Sequence, residues 1–199
     1  AIAATGRKQA CSVLDQVGFV IPLLKMHTAA KQFDAVIAHG IDMLSQLGVC
    51  LPESPDGERV FQALQKIMLD INGKTDEDLL GLPHMTDEKM QAAVSIMVEM
   101  ATAAYTVNRE LSTMLWLEML RIHLKHGIHP MAAFAFTAYG VILVVGLGDI
   151  SAGTRFGQLA FKILKKYENK NLMAPILNTY NLMIRHWTEP ASASAKAGL

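Results

Sequence analysis

Runs of lysine or arginine are missing from this sequence, and so is any excess of acid: eighteen basic and eighteen acidic side chains cancel over 199 residues. Nucleic acid and anionic membrane are thereby disfavoured as main partners, because phosphate recognition needs clustered positive charge. Cysteine is nearly absent. Cys11 and Cys50 each fall in an apolar, helical-looking stretch, which reads as two small buried hydrophobes in a reducing compartment, cytoplasmic or other, rather than a disulfide frame. Strand-type alternation is almost lacking as well, which leaves an all-helical chain. The opening segment AIAATGRKQACSVLDQ has neither an initiator Met nor an apolar stretch of signal-peptide length ahead of Asp15. The closing segment ASASAKAGL, 191–199, is small-residue filler expected to be disordered. Both ends read as cut edges, of a fragment or of a mature form after loss of a leader; the second case would open an organellar location.

What is present is helix periodicity. Phe33, Val36, Ile37, Ile41, Leu44 and Leu47 share one helical face, which Gly48 ends. Val60, Phe61, Leu64, Ile67, Met68 and Ile71 give a second stripe, closed by Gly73. Phe156, Leu159, Ala160, Ile163, Leu164 and Tyr167 give a third, with Arg155, Lys162, Lys165 and Lys166 on its other side. Thr75 before Asp76, Glu77 and Asp78, and Thr86 before Asp87 and Glu88, look like helix starts with acids at the positive end of the dipole. Asn108 precedes a helix reaching about His126 with Gly127 as its C-cap; Pro130 opens the next, Asp149 caps another, and Asn171 the last, which ends near Trp187. A faint echo at an offset of about 40 residues, Ala138-Tyr139-Gly140 against Thr179-Tyr180-Asn181, suits stacked helical hairpins. The expected fold is all-α: about seven or eight helices in stacked antiparallel hairpins, a short solenoid of tetratricopeptide type, as one domain over 1–190.

Chemistry is hard to find. In HLKHGIH the histidines His123, His126 and His129 are three apart and stand as metal candidates. Only the first two can share a helix face, since Gly127 ends the helix before His129, and no cysteine or carboxylate completes a set of four ligands. His126 at a helix C-terminus has a plainer role, meeting the negative end of the dipole. NGKT (Asn72 to Thr75) resembles the end of a phosphate-binding loop, but Met68 stands where that pattern needs glycine, so a C-cap followed by an N-cap fits better. Gly146, Gly148 and Gly153 hint at a dinucleotide fingerprint whose third glycine would fall at Ser151; close helix approach around a tight corner explains them more simply. No nucleophile with its base and no acidic pair stands out, so no catalytic residue and no cofactor is expected. The serious rival is MAAFAFTAYGVILVVGLG, Met131 to Gly148, whose eighteen uncharged residues reach the length where a membrane anchor becomes possible. A central buried helix has the same all-round apolarity. Trp116 and Trp187 read as buried packing, and the twelve methionines as core.

Several segments together carry a resemblance. FDAVIAHGIDMLSQ followed by LGVCLP, then LLGLPHMTD, AAVSIMVEMATAAY, a helix ending LKHG, AAFAFTAYGVIL, GLGDISAGTRFGQLA and IRHWTEP follow the order of a region in very large signalling ATPases. Such proteins join a P-loop ATPase, often after a protein-kinase-like domain, to a tetratricopeptide-like helical region and then to GAF and histidine-kinase or cyclase modules. Residues 20 to 190 resemble that helical region alone. The resemblance implies that 131–148 is an inner helix, that no catalytic residue carries over, and that a metal at the histidines would be a novelty of this chain: the place of His126 is usually aromatic there and that of His129 small and polar. The expected role is therefore a non-catalytic scaffold that binds a protein partner, or neighbouring domains of a larger chain, through its concave face. Two other roles stay open: a free-standing subunit docking onto a larger complex, and a membrane-associated protein anchored by 131–148.

Overall fold

The computed structural model of the protein describes residues 12–168 and 170–188. The described residues form nine α-helices and no strand, against the seven or eight helices expected; the five-residue α4 accounts for the excess. In chain order they are α1 (Val13–Ala29), α2 (Phe33–Gln46), α3 (Gly57–Ile71), α4 (Asp76–Leu80), α5 (Glu88–Val107), α6 (Arg109–His126), α7 (Ala132–Val141), α8 (Ile150–Tyr167) and α9 (Lys170–Met183), with a π-helical turn at Ile142–Gly146 and a 3-10 turn at Arg185–Trp187. The fold is all-α. Contacts divide the chain into two compact units: residues up to Asp70 with His84–Gly127, and Ile71–Pro83 with the residues from Ile128 onward. The tail at 191–199 lies outside the described residues, as does Cys11.

In the first unit, Ser12 and Asp15 close a capping box on α1, and Val17, Val20 and Leu24 bury one face. Helix α2 buries Val36, Gly40, Met43 and Leu44, a stripe rotated from the expected one because Gly40 is its closest point of approach. A Cβ there would lie 2.2 Å from Met100 Sδ of α5, so any larger residue would have to displace that thioether. Helix α5 is the centre, burying Ala93, Val94, Ile96, Met97, Met100, Ala101, Ala103 and Ala104. Its N-cap is Asp87, one residue beyond the expected Thr86, with Oδ1 accepting from the N–H of Lys89 and Met90. Asn108 ends α5 and starts α6, its Oδ1 taking the Leu111 N–H at 2.8 Å. A single joining residue makes α5 and α6 a hairpin. Tyr105 stacks on Trp116 near the turn, and at the open end His126 Nδ1 comes within 3.7 Å of Asp87 Oδ2.

In the second unit, α7 is buried from Ala132 to Val141 except at the half-buried Phe134. This accounts for the uncharged run without a membrane. Leu143 and Val144 of the π turn stay inside, Val145 and Leu147 emerge, and no helix among the described residues is long and apolar enough to cross a bilayer, which removes 131–148 as a helical anchor. Helices α7 and α8 meet along small residues. A Cβ on Gly153 would lie 2.7 Å from the Gly140 carbonyl oxygen, and one on Gly157 would enter the Tyr180 ring of α9. Val141, Val144 and Ile184 form a core there, each side chain contributing about 1.5–3 kcal/mol on burial. Asp149 caps α8 as expected, with Oδ1 accepting from Ala152 N–H at 2.9 Å. The last helix begins at Lys170, so Asn171 lies inside it rather than ahead of it, and it ends at Met183.

Candidate functional site

In the second unit the basic face of α8 is occupied. Thr75 caps α4 in a closed box, its hydroxyl accepting from Asp78 N–H while the Asp78 carboxylate accepts from Thr75 N–H at 2.8 Å. The short helix that follows is held by α8 through four bonds. Arg155 Nε donates to Asp76 Oδ1 and Lys162 Nζ to Asp76 Oδ2, each at 2.8 Å. Arg155 Nη2 donates to the Lys74 carbonyl at 2.9 Å, and Lys166 Nζ to that of Leu80 at 2.7 Å. Leu79 is fully buried. Burial pushes the Asp76 carboxyl up, but the bonds from Lys162 and Arg155 and their charges outweigh it, and its pKa lies below the ordinary 3.8. The same bond, with Asp76 as acceptor, raises Lys162 above its ordinary 10.5. An acidic turn followed by leucine is thus held within the chain by an Arg and a Lys seven residues apart on one helix.

The first unit carries a cleft of about 310 Å³ between α3 and α6. Ala63, Ile67, Met114 and Leu117 give it an apolar floor, and Pro52 closes one end. Arg59, Gln62 and Lys66 stand along the α3 wall, Glu118 and Arg121 along the α6 wall. Arg121 is engaged with Glu118 by a fork of two bonds, Nε to Oε2 at 2.7 Å and Nη2 to Oε1, which with the nearby Asp70 holds the guanidinium above its ordinary pKa. Arg59 and Lys66, both exposed, have no ion-pair partner among the described residues. They too are seven residues apart on one helix. Asp56 positions Arg59 by taking its backbone N–H at the start of α3. Phe61, Met68 and Leu69, three large apolar side chains of the same helix, are left exposed. The stripe read from the sequence is therefore only partly core, through Leu64, Ile67 and Ile71.

The three histidines do not converge. His123 is fully buried, its Nδ1 3.2 Å from the Gly127 carbonyl. His126 faces Asp87, and His129 Nδ1 accepts the Met131 N–H at 3.3 Å. Among the described residues, no three histidines, cysteines or carboxylates are grouped to hold a metal ion. NGKT is a C-cap followed by an N-cap: Gly73 has φ +75° and Thr75 starts α4. Gly148, at φ +71°, turns the corner before α8, and Gly153 serves close packing. Expectations of burial fail at Met26, Met68 and Met173, which are exposed, and at two further positions. Cys50 is exposed and lies beyond α2 rather than in a helix, and Trp187 is 54% exposed in the 3-10 turn. Both positions lie just past a helix end, where periodicity no longer reports burial.

Comparison with known proteins adds one finding. No family model matches the chain, and no solved structure does. Among curated proteins it is similar to hybrid signal transduction histidine kinase G of Dictyostelium discoideum, 24% identical over 190 residues. The similarity takes in 86% of this chain and 6% of that protein's length. It indicates a relation to signalling proteins.

Proposed function

We propose that this chain is a non-catalytic helical-repeat region, of tetratricopeptide-like kind, that serves as scaffold and interaction surface in a large signalling ATPase or kinase. The similarity to a signalling histidine kinase carries this reading, because it runs through nearly the whole helical chain. Two structural features support it: the short acidic helix held on α8 and the unfilled cation-walled cleft beside α3, both suited to polypeptide rather than to small-molecule chemistry. In such a parent the region would link nucleotide-driven change to downstream modules, in a reducing compartment that suits the exposed thiol of Cys50. No cofactor is needed for this role.

The test is the size of the native polypeptide, read by immunoblot with an antibody to the 150–170 segment, followed by lysine crosslinking and mass spectrometry of that polypeptide. A band far above 21.8 kDa, with crosslinks from this region to other modules, is the expected result. A native chain of 21.8 kDa that crosslinks only to itself overturns the proposal.

A further inference from the structure

The two helix faces with an arginine and a lysine seven residues apart allow a direct inference. On α8 the pair Arg155 and Lys162 converges on one carboxylate, Asp76, with both bonds at 2.8 Å. The spacing sets two helical turns, a rise of about 10 Å, between the two Cα atoms, a gap that two long side chains close over a single acid. The captured segment has a definite order: a carbonyl for the arginine's second nitrogen, then the acid, then Leu79 buried three residues later. On α3 the pair Arg59 and Lys66 repeats the spacing along a cleft whose floor is Ala63, Ile67, Met114 and Leu117. Nothing in the described chain occupies it. The other charges near this wall are Glu118 and Arg121, which satisfy each other, Asp70 close to Arg121, and Asp56 and Glu58, whose carboxylates accept from the Arg59 backbone N–H and the Gln62 side chain. Of the charged side chains that line the cleft itself, Arg59 and Lys66 are the two without an ion-pair partner among the described residues, and both are positive.

We propose that the α3–α6 cleft binds an acidic segment of a partner polypeptide, one with an Asp or Glu followed about three residues later by a leucine-like side chain. The carboxylate sits between Arg59 and Lys66, and the apolar side chain rests on the floor between Ile67 and Leu117. This rests on the scaffold reading and names the kind of partner it takes. Affinity comes from a charge-assisted contact at a half-exposed site, so it is modest and falls with added salt.

The probe is the peptide KTDEDLLG, the chain's own Lys74 to Gly81 segment, titrated into the full isotope-labelled chain and followed by amide chemical shifts. The expected result is saturable shifts over 59–67 and 114–121, weakened at least tenfold by the double substitution Arg59→Glu with Lys66→Glu. A Gln65→Glu variant, placing an acid on an exposed site of α3 outside the cleft, leaves them unchanged and shows that an acid added elsewhere on this helix does not abolish binding. A peptide with alanine in place of its first aspartate also binds at least tenfold more weakly. Shifts confined to 155–166, no shifts at all, or equal binding by the charge-reversed chain each overturn the proposal. Crosslinks from the native protein to other modules that avoid Lys66 would sink this site while leaving the scaffold reading standing; absence of any crosslink would sink both.

Discussion

The two units solve the same packing problem with different materials. In the first, α2 approaches α5 by setting Gly40 against the end of a methionine, Met100, a flexible thioether that rearranges at little cost. In the second, α7 approaches α8 by setting Gly140 against Gly153, backbone on backbone, with the Val144 and Ile184 side chains closing around them. The same contrast holds for charge. The second unit has used its Arg–Lys pair on its own acidic helix, whereas the first leaves an identically spaced pair open to solvent. One unit is closed by its own chain; the other keeps a surface to offer.

The largest break in this comparison comes from adding one methyl group. Gly153→Ala drives a Cβ to 2.7 Å from the Gly140 carbonyl and 2.3 Å from Val144 Cγ2, neither of which can move without displacing a helix. We expect it to destabilise the second unit by about 3 kcal/mol, the upper end of overpacking penalties. Gly40→Ala meets only the Met100 thioether, and the gain in helix propensity of about 1 kcal/mol offsets much of the strain. Its net cost should be about 1 kcal/mol or less. Hydrogen exchange resolved by helix separates the two: equal losses of protection in α7 and in α2 would show that the seats do not differ.

Next in size is the acidic strap. Asp76→Ala removes the shared acceptor of Arg155 and Lys162, which rehydrate because their side chains are 40% and 50% exposed. The loss is about 1–2 kcal/mol, a charged pair discounted for exposure, and shows as roughly tenfold faster amide exchange over 75–80. No change in exchange there would mean that buried Leu79 alone anchors α4. Acidity sharpens the point. The folded pKa of Asp76 lies below 3.8, so its contribution is complete above that pH and is lost as pH falls through the lower folded value. Lys162 lies above 10.5 when folded, so its contribution is complete below that pH and is lost as pH rises past it. Exchange over 75–80 should thus stay flat, after correction for intrinsic rates, from about pH 4 to pH 10 and rise beyond either end. Opening of the strap near neutral pH would assign its hold to some other group.

How much of this was legible depends on distance along the chain. The α8 stripe from Phe156 to Leu164 was read correctly because helix period and burial coincide there. Asn108, Gly127, Thr75 and Asp149 were read correctly because capping is chemistry between neighbours. The α3 stripe was over-read: Phe61 and Met68 have the right period, yet periodicity says nothing about whether a partner helix exists to cover them. The strap was invisible, since Asp76 meets cations 79 and 86 residues away. The cleft was equally hidden, since its two walls come from helices separated by α4 and α5.

The smallest test returns to the two units through their helix ends. Lys31, after α1, and Glu168, after α8, are the non-glycine residues with positive φ among those described, at 56° and 49°. Each side chain strains the left-handed conformation by about 1 kcal/mol. Their charges oppose one another, however. A lysine near a helix C-terminus is favoured by the dipole by about 0.3–1 kcal/mol, and a glutamate is disfavoured by a similar amount. Lys31→Gly therefore exchanges relief of strain for loss of a favourable charge and should change α1 protection by no more than about 0.5 kcal/mol. Glu168→Gly gains on both counts and should stabilise α8 by about 1–2 kcal/mol, read as slower exchange in its last turn. Equal responses at the two sites would show that backbone strain, and not charge at the helix end, sets the difference between them.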